Sequence, residues 1–155
     1  MNGYEGLSTD EQAIDADGWL HTGDLARRLP DGNYKITGRI KDMIIRGGEN
    51  IYPKEIEEFI YTHEKVSDVQ VIGVPDRQYG EEIMAWVVLK KGEEMTEAEL
   101  KAFVAANMAK HKVPRYVTFV DAFPTNAAGK ILKYKMREMA VEMLNLKKDA
   151  AIETA

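Results

Sequence analysis

Gly38-Arg39-Ile40-Lys41-Asp42-Met43-Ile44-Ile45-Arg46-Gly47-Gly48-Glu49-Asn50-Ile51-Tyr52-Pro53-Lys54-Glu55-Ile56-Glu57 holds an ionic cluster, a short β run, a glycine turn and a helix start within twenty residues. The Gly47-Gly48 pair permits close backbone approach, because glycine carries no Cβ. Pro53 suits a first helical turn, where its missing N–H costs nothing. Behind it Ile56, Phe59, Ile60 and His63 recur at helical spacing. From Met43 onward the pattern is that of a compact α+β domain.

Downstream, Val69, Val71, Ile72 and Val74 predict a strand ended by Pro75-Asp76, and Ile83 to Leu89 a second, rich in β-branched and aromatic residues. Thr96 followed by Glu99 is a capping box opening a helix with Leu100, Phe103 and Val104 on its inner face. Val117 to Val120 predicts a third strand. A last helix places Leu132, Met136, Met139, Ala140 and Met143 along one stripe, read as core packing rather than a groove.

Upstream, residues 1–40 are short, glycine-punctuated and β-like: Gly18-Trp19-Leu20-His21, then Asp24 to Leu29, then Tyr34 to Thr37. Pro30-Asp31-Gly32-Asn33 is a hairpin turn, since proline presets φ and Asp-Gly-Asn supplies positive-φ positions. A lone hairpin is marginal in water, so this block is expected to need a partner surface. The division predicted is a β-rich block over 1–40, a small α+β domain with a short mixed sheet over 41–146, and a disordered tail over 147–155.

With 155 residues there is room for one domain and a modest appendage. No cysteine is present, which excludes a disulfide framework, a thiolate metal site and a thiol nucleophile on this chain, and fits a reducing compartment. Met1-Asn2-Gly3-Tyr4-Glu5 has neither the basic region nor the apolar core of a secretory signal. The longest apolar run, Met84 to Leu89, falls far short of the ~20 residues of a membrane span. A cytoplasmic location is therefore expected.

The net charge of −5 hides an asymmetry. Residues 1–100 carry 11 basic and 21 acidic side chains, and residues 101–148 carry 10 basic and 3 acidic. Such a split points either to an anion met by the second half or to lysines and arginines spread over solvated helices. Nucleic acid fits poorly, because no aromatic ladder interleaves the basic residues. A phosphate-bearing small molecule needs only two or three well-placed cations.

On composition alone Asp24 and Arg39 are ordinary surface residues. A carboxylate behind the tight Thr22-Gly23 turn also suits both hydroxyls of a ribose, and the planar fork of Arg39 suits a sugar or a phosphate. Lys41-Asp42 reads as a surface ion pair at a strand start, and Arg46 to Asn50 as a strand-to-helix turn. Pro124-Thr125-Asn126-Ala127-Ala128-Gly129-Lys130 is a small polar loop delivering one lysine at the head of the last helix. It is no Walker A loop, which needs glycine in place of Pro124 and Ser or Thr in place of Ile131.

These strings, with Gly18-Trp19-Leu20-His21-Thr22-Gly23-Asp24-Leu25 and Gly38-Arg39-Ile40-Lys41-Asp42, resemble the adenylate-forming ligases, especially acyl-CoA synthetases. Those enzymes activate a carboxylate with ATP and pass the acyl group to coenzyme A. The likeness runs from Gly3-Tyr4 to about Leu144 and implies the C-terminal part of such an enzyme, a mobile lid preceded by a β-rich remnant of the large domain. It implies ribose contacts for Asp24 and Arg39, a hinge at Lys41, and adenylation catalysis by Lys130. It further implies that Gly47 and Gly48 line the CoA thiol channel. Lys112 and Arg115 are the expected phosphate partners of the CoA nucleotide, and Tyr79 a stacking face.

The implied partner is a large N-terminal domain, which would supply the Gly-rich phosphate loop, the acyl pocket and the main ligands of Mg²⁺. The chain alone is expected to be inactive. A fatty acid is the expected substrate. The corresponding part of an aryl-CoA ligase or of a peptide-synthetase adenylation domain, and a non-catalytic CoA-binding module, are the alternatives.

Overall fold

The computed structural model describes residues 14–150. The expectations for Met1 to Glu5, for the Gly3-Tyr4 start of the likeness and for residues 151–155 lie outside the described residues. The chain divides into two compact units, Met1–Lys41 and Asp42–Ala155.

The first unit contains an antiparallel hairpin of β1 (Asp24–Arg28) and β2 (Tyr34–Arg39). Its turn is held by Asp31, whose carboxylate accepts the backbone N–H and the side-chain amide of Asn33, each at 3.0 Å. Both bonds favour the ionised form and keep Asp31 below the usual carboxylate range. The register shifts between Leu25 and Ala26, and the Leu25 carbonyl accepts from the Thr37 hydroxyl at 3.2 Å. Two strands cannot cover their own apolar side chains, so Trp19, Tyr34, Ile36 and Ile40 are exposed.

The second unit is an α+β domain around a mixed five-stranded sheet. β3 (Ile44–Arg46) and β4 (Glu49–Ile51) flank the Gly47-Gly48 turn. β5 (Val66–Asp76) and β6 (Gly80–Leu89) pair antiparallel along their length. On its other side β6 meets β3 at Arg46 opposite Gly80, and runs parallel to β7 (Tyr116–Phe119) over Met84 to Val87. The helices are α1 (Pro53–Ile60), α2 (Glu97–Asn107), α3 (Lys133–Met143) and the short α4 (Lys147–Ala150).

Strand alternation sorts the core into two layers. Val69, Val71, Ile83, Ala85 and Val87 pack with Ile56, Ile60, Leu100 and Val104 of α1 and α2. Ile72, Val74, Met84 and Trp86 point the other way, against Met136 and Ala140 of α3. Because both faces are covered, β6 is a continuous apolar run rather than an alternating one.

β5 is an edge strand, and an ion pair blunts it. Glu57 Oε1 accepts the Val71 N–H at 2.8 Å, while Lys133 Nζ donates to that same oxygen at 2.6 Å and to the Val71 carbonyl at 3.1 Å. The N–H and C=O of Val71, at the middle of that edge, are thereby withheld from a foreign strand.

The capping box forms as expected: Thr96 Oγ1 accepts the Glu99 N–H at 3.2 Å, and Glu99 Oε2 accepts the Thr96 N–H at 2.6 Å. Those bonds hold Glu99 below the usual carboxylate range, so its contribution is complete above that range and fades as the pH falls through the lowered value. Thr96→Ala should lower stability by about 1 kcal/mol, read as a urea midpoint shift at constant m.

Several expectations give way. α1 stops at Ile60, the Thr62 hydroxyl donates to the Phe59 carbonyl at 2.6 Å, and His63 lies in the turn, edge-on to Phe103 at 4.7 Å. β5 includes Pro75-Asp76, which an edge strand tolerates. The methionine stripe splits. Met136 is buried, but Met139 and Met143 are 45% and 53% exposed. The chain reverses at Asn145 (φ 56°) and packs Leu144 and Leu146 against the cluster instead. Residues 147–150, expected in a disordered tail, form α4.

Candidate functional site

In the first unit Asp24 and Arg39 stand opposite each other across the ladder, and Arg39 Nε donates to Asp24 Oδ1 at 3.2 Å. The turn before Asp24 is built twice over. Thr22 Oγ1 accepts the Asp24 N–H at 3.1 Å, and the Gly23 carbonyl accepts the Ile40 N–H at 2.9 Å. Upstream, Asp15 accepts the N–H groups of Asp17 at 3.0 Å and Trp19 at 2.9 Å, and pairs with His21 Nε2 at 2.8 Å. The Trp19 and His21 bonds keep the Asp15 carboxyl below its ordinary range. Sequence reasoning missed Asp15. Its signal was the Asp-Ala-Asp-Gly turn ahead of Trp19.

Lys41 sits in a 3₁₀ turn, Ile40–Asp42, rather than at a strand start. The division between the two units falls directly after it.

In the second unit Lys130 rides on a loop closed by the Thr125–Ile131 bridge. Asn126 organises it: its side-chain oxygen accepts the N–H groups of Ala128 at 3.0 Å and Lys130 at 2.9 Å. Its own N–H donates to the Lys130 carbonyl at 3.0 Å, and Gly129 takes φ 77°. Two residues, Ile131 and Leu132, separate Lys130 from Lys133, the first residue of α3, so it belongs to the loop and not to the helix head. Its side chain is exposed and pairs with no carboxylate among the described residues.

A second cluster gathers three of the residues expected on the CoA side. Gly47 (φ 57°) donates its N–H to the Tyr79 carbonyl at 2.8 Å, and a Cβ on it would lie 3.2 Å from the Tyr79 ring. Tyr79 sits in a turn whose N–H, with that of Gln78, goes to Asp76 Oδ1 at 2.9 Å. Arg46 covers the Tyr79 ring at 4.4 Å and donates from Nε and Nη2 to the two oxygens of Glu82, each at 2.8 Å. That pairing raises the Arg46 guanidinium above its ordinary value against the opposing effect of desolvation. Arg115 Nη1 lies 3.6 Å from both Asp76 and Glu82. Sequence reasoning missed Glu82, since a single glutamate beside Glu81 carries no periodic signal.

Lys112 is not in that cluster. It pairs with Glu55 at the first turn of α1, at 2.6 Å. Nor, among the described residues, do all the cations of the basic second half stand free of carboxylates. Lys101, Lys112, Arg115, Lys133 and Arg137 are paired with Glu97, Glu55, Asp76 and Glu82, Glu57 and Glu81 respectively. Folding brings acids of residues 55–97 onto these five of the ten cations of residues 101–148, so half of them are balanced locally. Among the described residues no three His, Asp or Glu side chains converge where a metal ion could sit. Nor is any helix among them long and apolar enough to cross a membrane.

Residues 55–130 match the AMP-binding enzyme C-terminal domain. The chain is 57% identical over 143 residues to the putative acyl-CoA synthetase YngI of Bacillus subtilis (strain 168), covering 92% of this chain and 26% of that protein. It is 51% identical over 147 residues to the mitochondrial medium-chain acyl-CoA ligase ACSF2 of Homo sapiens, covering 94% of this chain and 24% of that one. Its fold is similar to o-succinylbenzoate CoA synthetase (MenE) from Bacillus subtilis in complex with the acyl-adenylate intermediate OSB-AMP, with a TM-score of 0.79 and 33% identity over 88% of this chain and 28% of that chain. The chain thus spans about a quarter of the length of the curated relatives it matches. The chain thus carries the C-terminal AMP-binding domain of an acyl-CoA or aryl-CoA ligase-like adenylate-forming enzyme.

Proposed function

We propose that this chain is the C-terminal part of an AMP-forming acyl-CoA ligase acting on a fatty acid, with Lys130 as its adenylation lysine. One observation carries the reading. The ammonium of Lys130 is held out on a rigid loop without a carboxylate partner among the described residues, while five other cations of the same half are paired. An unpaired cation on a preorganised loop is suited to charge that develops during reaction.

In the first half-reaction a carboxylate oxygen attacks the α-phosphorus of ATP. The bond to the bridging oxygen breaks, and pyrophosphate leaves. Lys130 stabilises the negative charge shared by nucleophile and phosphate, and Asp24 and Arg39 hold the ribose. In the second, the CoA sulfur attacks the acyl carbonyl carbon, AMP leaves with the oxygen, and the thiol proton is released. Gly47 and Gly48 face the pantetheine arm, and Tyr79, Arg115 and Lys112 the nucleotide of CoA. For the last, the Glu55 pair must open. Mg²⁺ would neutralise the pyrophosphate, held by a large N-terminal domain of the same protein. The exposed Trp19, Tyr34 and Ile36 suit contact with that domain.

The ACSF2 and YngI likenesses favour an acyl chain, and MenE keeps an aryl acid as the second reading. Absence of cysteine supports a reducing, cytoplasmic location.

The test is pyrophosphate release with ATP, Mg²⁺, CoA and a panel of fatty and aryl acids, using the chain alone and the full-length protein. Turnover of a fatty acid by the full-length protein only is the expected result. Turnover by the chain alone, or silence of the full-length protein on every acid, sinks the reading. Lys41→Pro is a second check, since a hinge is a few residues absorbing large φ/ψ changes. It should stall one half-reaction and spare the other. Equal loss in both would remove the hinge role.

A further inference from the structure

Glu82 is 1% exposed, charged, and so far without a task. A carboxylate is rarely buried so completely unless it is paired. Both its oxygens are engaged by Arg46 at 2.8 Å in a bidentate pair, the geometry with the best-defined direction. The pair lays the guanidinium over the Tyr79 ring, 4.4 Å from its centre. Tyr79 in turn accepts the Gly47 N–H through its carbonyl and closes against the bare face of Gly47. The chain of contact therefore runs from a buried charge to the glycine turn.

A second branch leads to Arg115. Its backbone is tied on both sides: the N–H donates to the Ile83 carbonyl at 2.9 Å, and its own carbonyl accepts from Lys101. Only the side chain is left to move, and it is 51% exposed. Asp76 and Glu82 attract it from 3.6 Å, beyond ordinary hydrogen-bond length, so its orientation is biased while its N–H donors stay available. That is the arrangement needed by a guanidinium that must meet a phosphate from solvent.

We propose that Glu82 is a positioning residue for the CoA-side surface: it pins Arg46 on Tyr79, which sets the Gly47 turn, and it aims Arg115 at the phosphate of the incoming nucleotide. This rests on the assignment of Gly47, Tyr79 and Arg115 to thioester formation.

The experiment uses the full-length protein and separates the two half-reactions, by ATP–pyrophosphate exchange for adenylation and single-turnover CoA thioester formation for transfer. Three variants are compared: Glu82→Gln, the double variant Glu82→Gln/Arg46→Gln, and Gly47→Val. The double variant replaces the ion pair by two amides that can bond each other, so no unpaired charge is left buried if the single variant fails to fold. The folded fraction of each is fixed by thermal melts before assay. In both Glu82 variants the KM for CoA should rise about tenfold or more relative to any change in exchange. Equal losses in the two half-reactions, or no loss, would overturn the proposal, because a merely structural glutamate lowers both together. If Gly47→Val is selective and the Glu82 variants are not, Glu82 alone loses its role. If none is selective, the CoA-side assignment falls with it.

Discussion

Lys130→Ala in the full-length protein should reduce ATP–pyrophosphate exchange by roughly 10²–10³-fold, the loss typical for removing one preorganised donor aimed at transition-state charge. The fold should not notice. Lys130 is exposed, its N–H and carbonyl bonds to Asn126 belong to the backbone, and its ammonium holds no ion pair among the described residues. A surface substitution of that kind changes stability by no more than about 0.5 kcal/mol. The contrast between a large kinetic loss and an unmoved melting curve is what distinguishes catalysis from architecture. An Asn126→Ala variant probes the loop itself. Losing the two bonds to Ala128 and Lys130 should loosen the presentation of the ammonium and lower exchange without removing the charge. Exchange unaffected by Lys130→Ala would transfer the adenylation role to another cation.

Trp86→Ala should cost the second unit about 3–5 kcal/mol, the range for emptying a large aromatic site. Trp86 is 1% exposed at the centre of the layer between β6 and α3. Against a domain stability of about 5–15 kcal/mol, that loss brings the unit close to unfolding. Trp86→Phe separates two contributions. The indole Nε1–H is buried and has no hydrogen-bond partner among the described residues, and an unsatisfied buried donor costs about 1–3 kcal/mol. Phenylalanine gives up indole packing but removes that penalty, so the net change should lie within about 1 kcal/mol of zero. Urea unfolding of the two variants, followed at constant m, tests both numbers. A loss above about 2 kcal/mol for Trp86→Phe would mean the N–H is satisfied by a buried water.

Much of the second unit was legible from pattern alone. The capping box is a local device, three residues apart, and it formed as read. β5 and β6 announced themselves by β-branched residues, and the two-sided burial of β6 by an unbroken apolar run. The ends of elements were less legible, because what stops a helix is often a partner far away. His63 keeps helical spacing with Ile56 and Phe59, yet its ring is claimed by Phe103, forty residues on. Met139 and Met143 share a stripe with Met136, but only a sheet of finite width decides which of them it covers.

The site divides along the same line. The family resemblance, rather than spacing, singled out Asp24, Gly47 and Lys130, and the structure sets each in a turn held by near neighbours: Thr22 behind Asp24, a paired glycine, Asn126 ahead of Lys130. Which cations remain free was decided only by the tertiary structure. A charge count places +7 on residues 101–148, as 10 basic less 3 acidic. The fold sets Glu55, Glu57, Glu81 and Glu97 against four of those cations and shares Asp76 and Glu82 with a fifth, Arg115. Coulomb attraction acts through space and not along the chain. Sequence therefore delimited the turns and loops, and long-range packing chose which charges they keep.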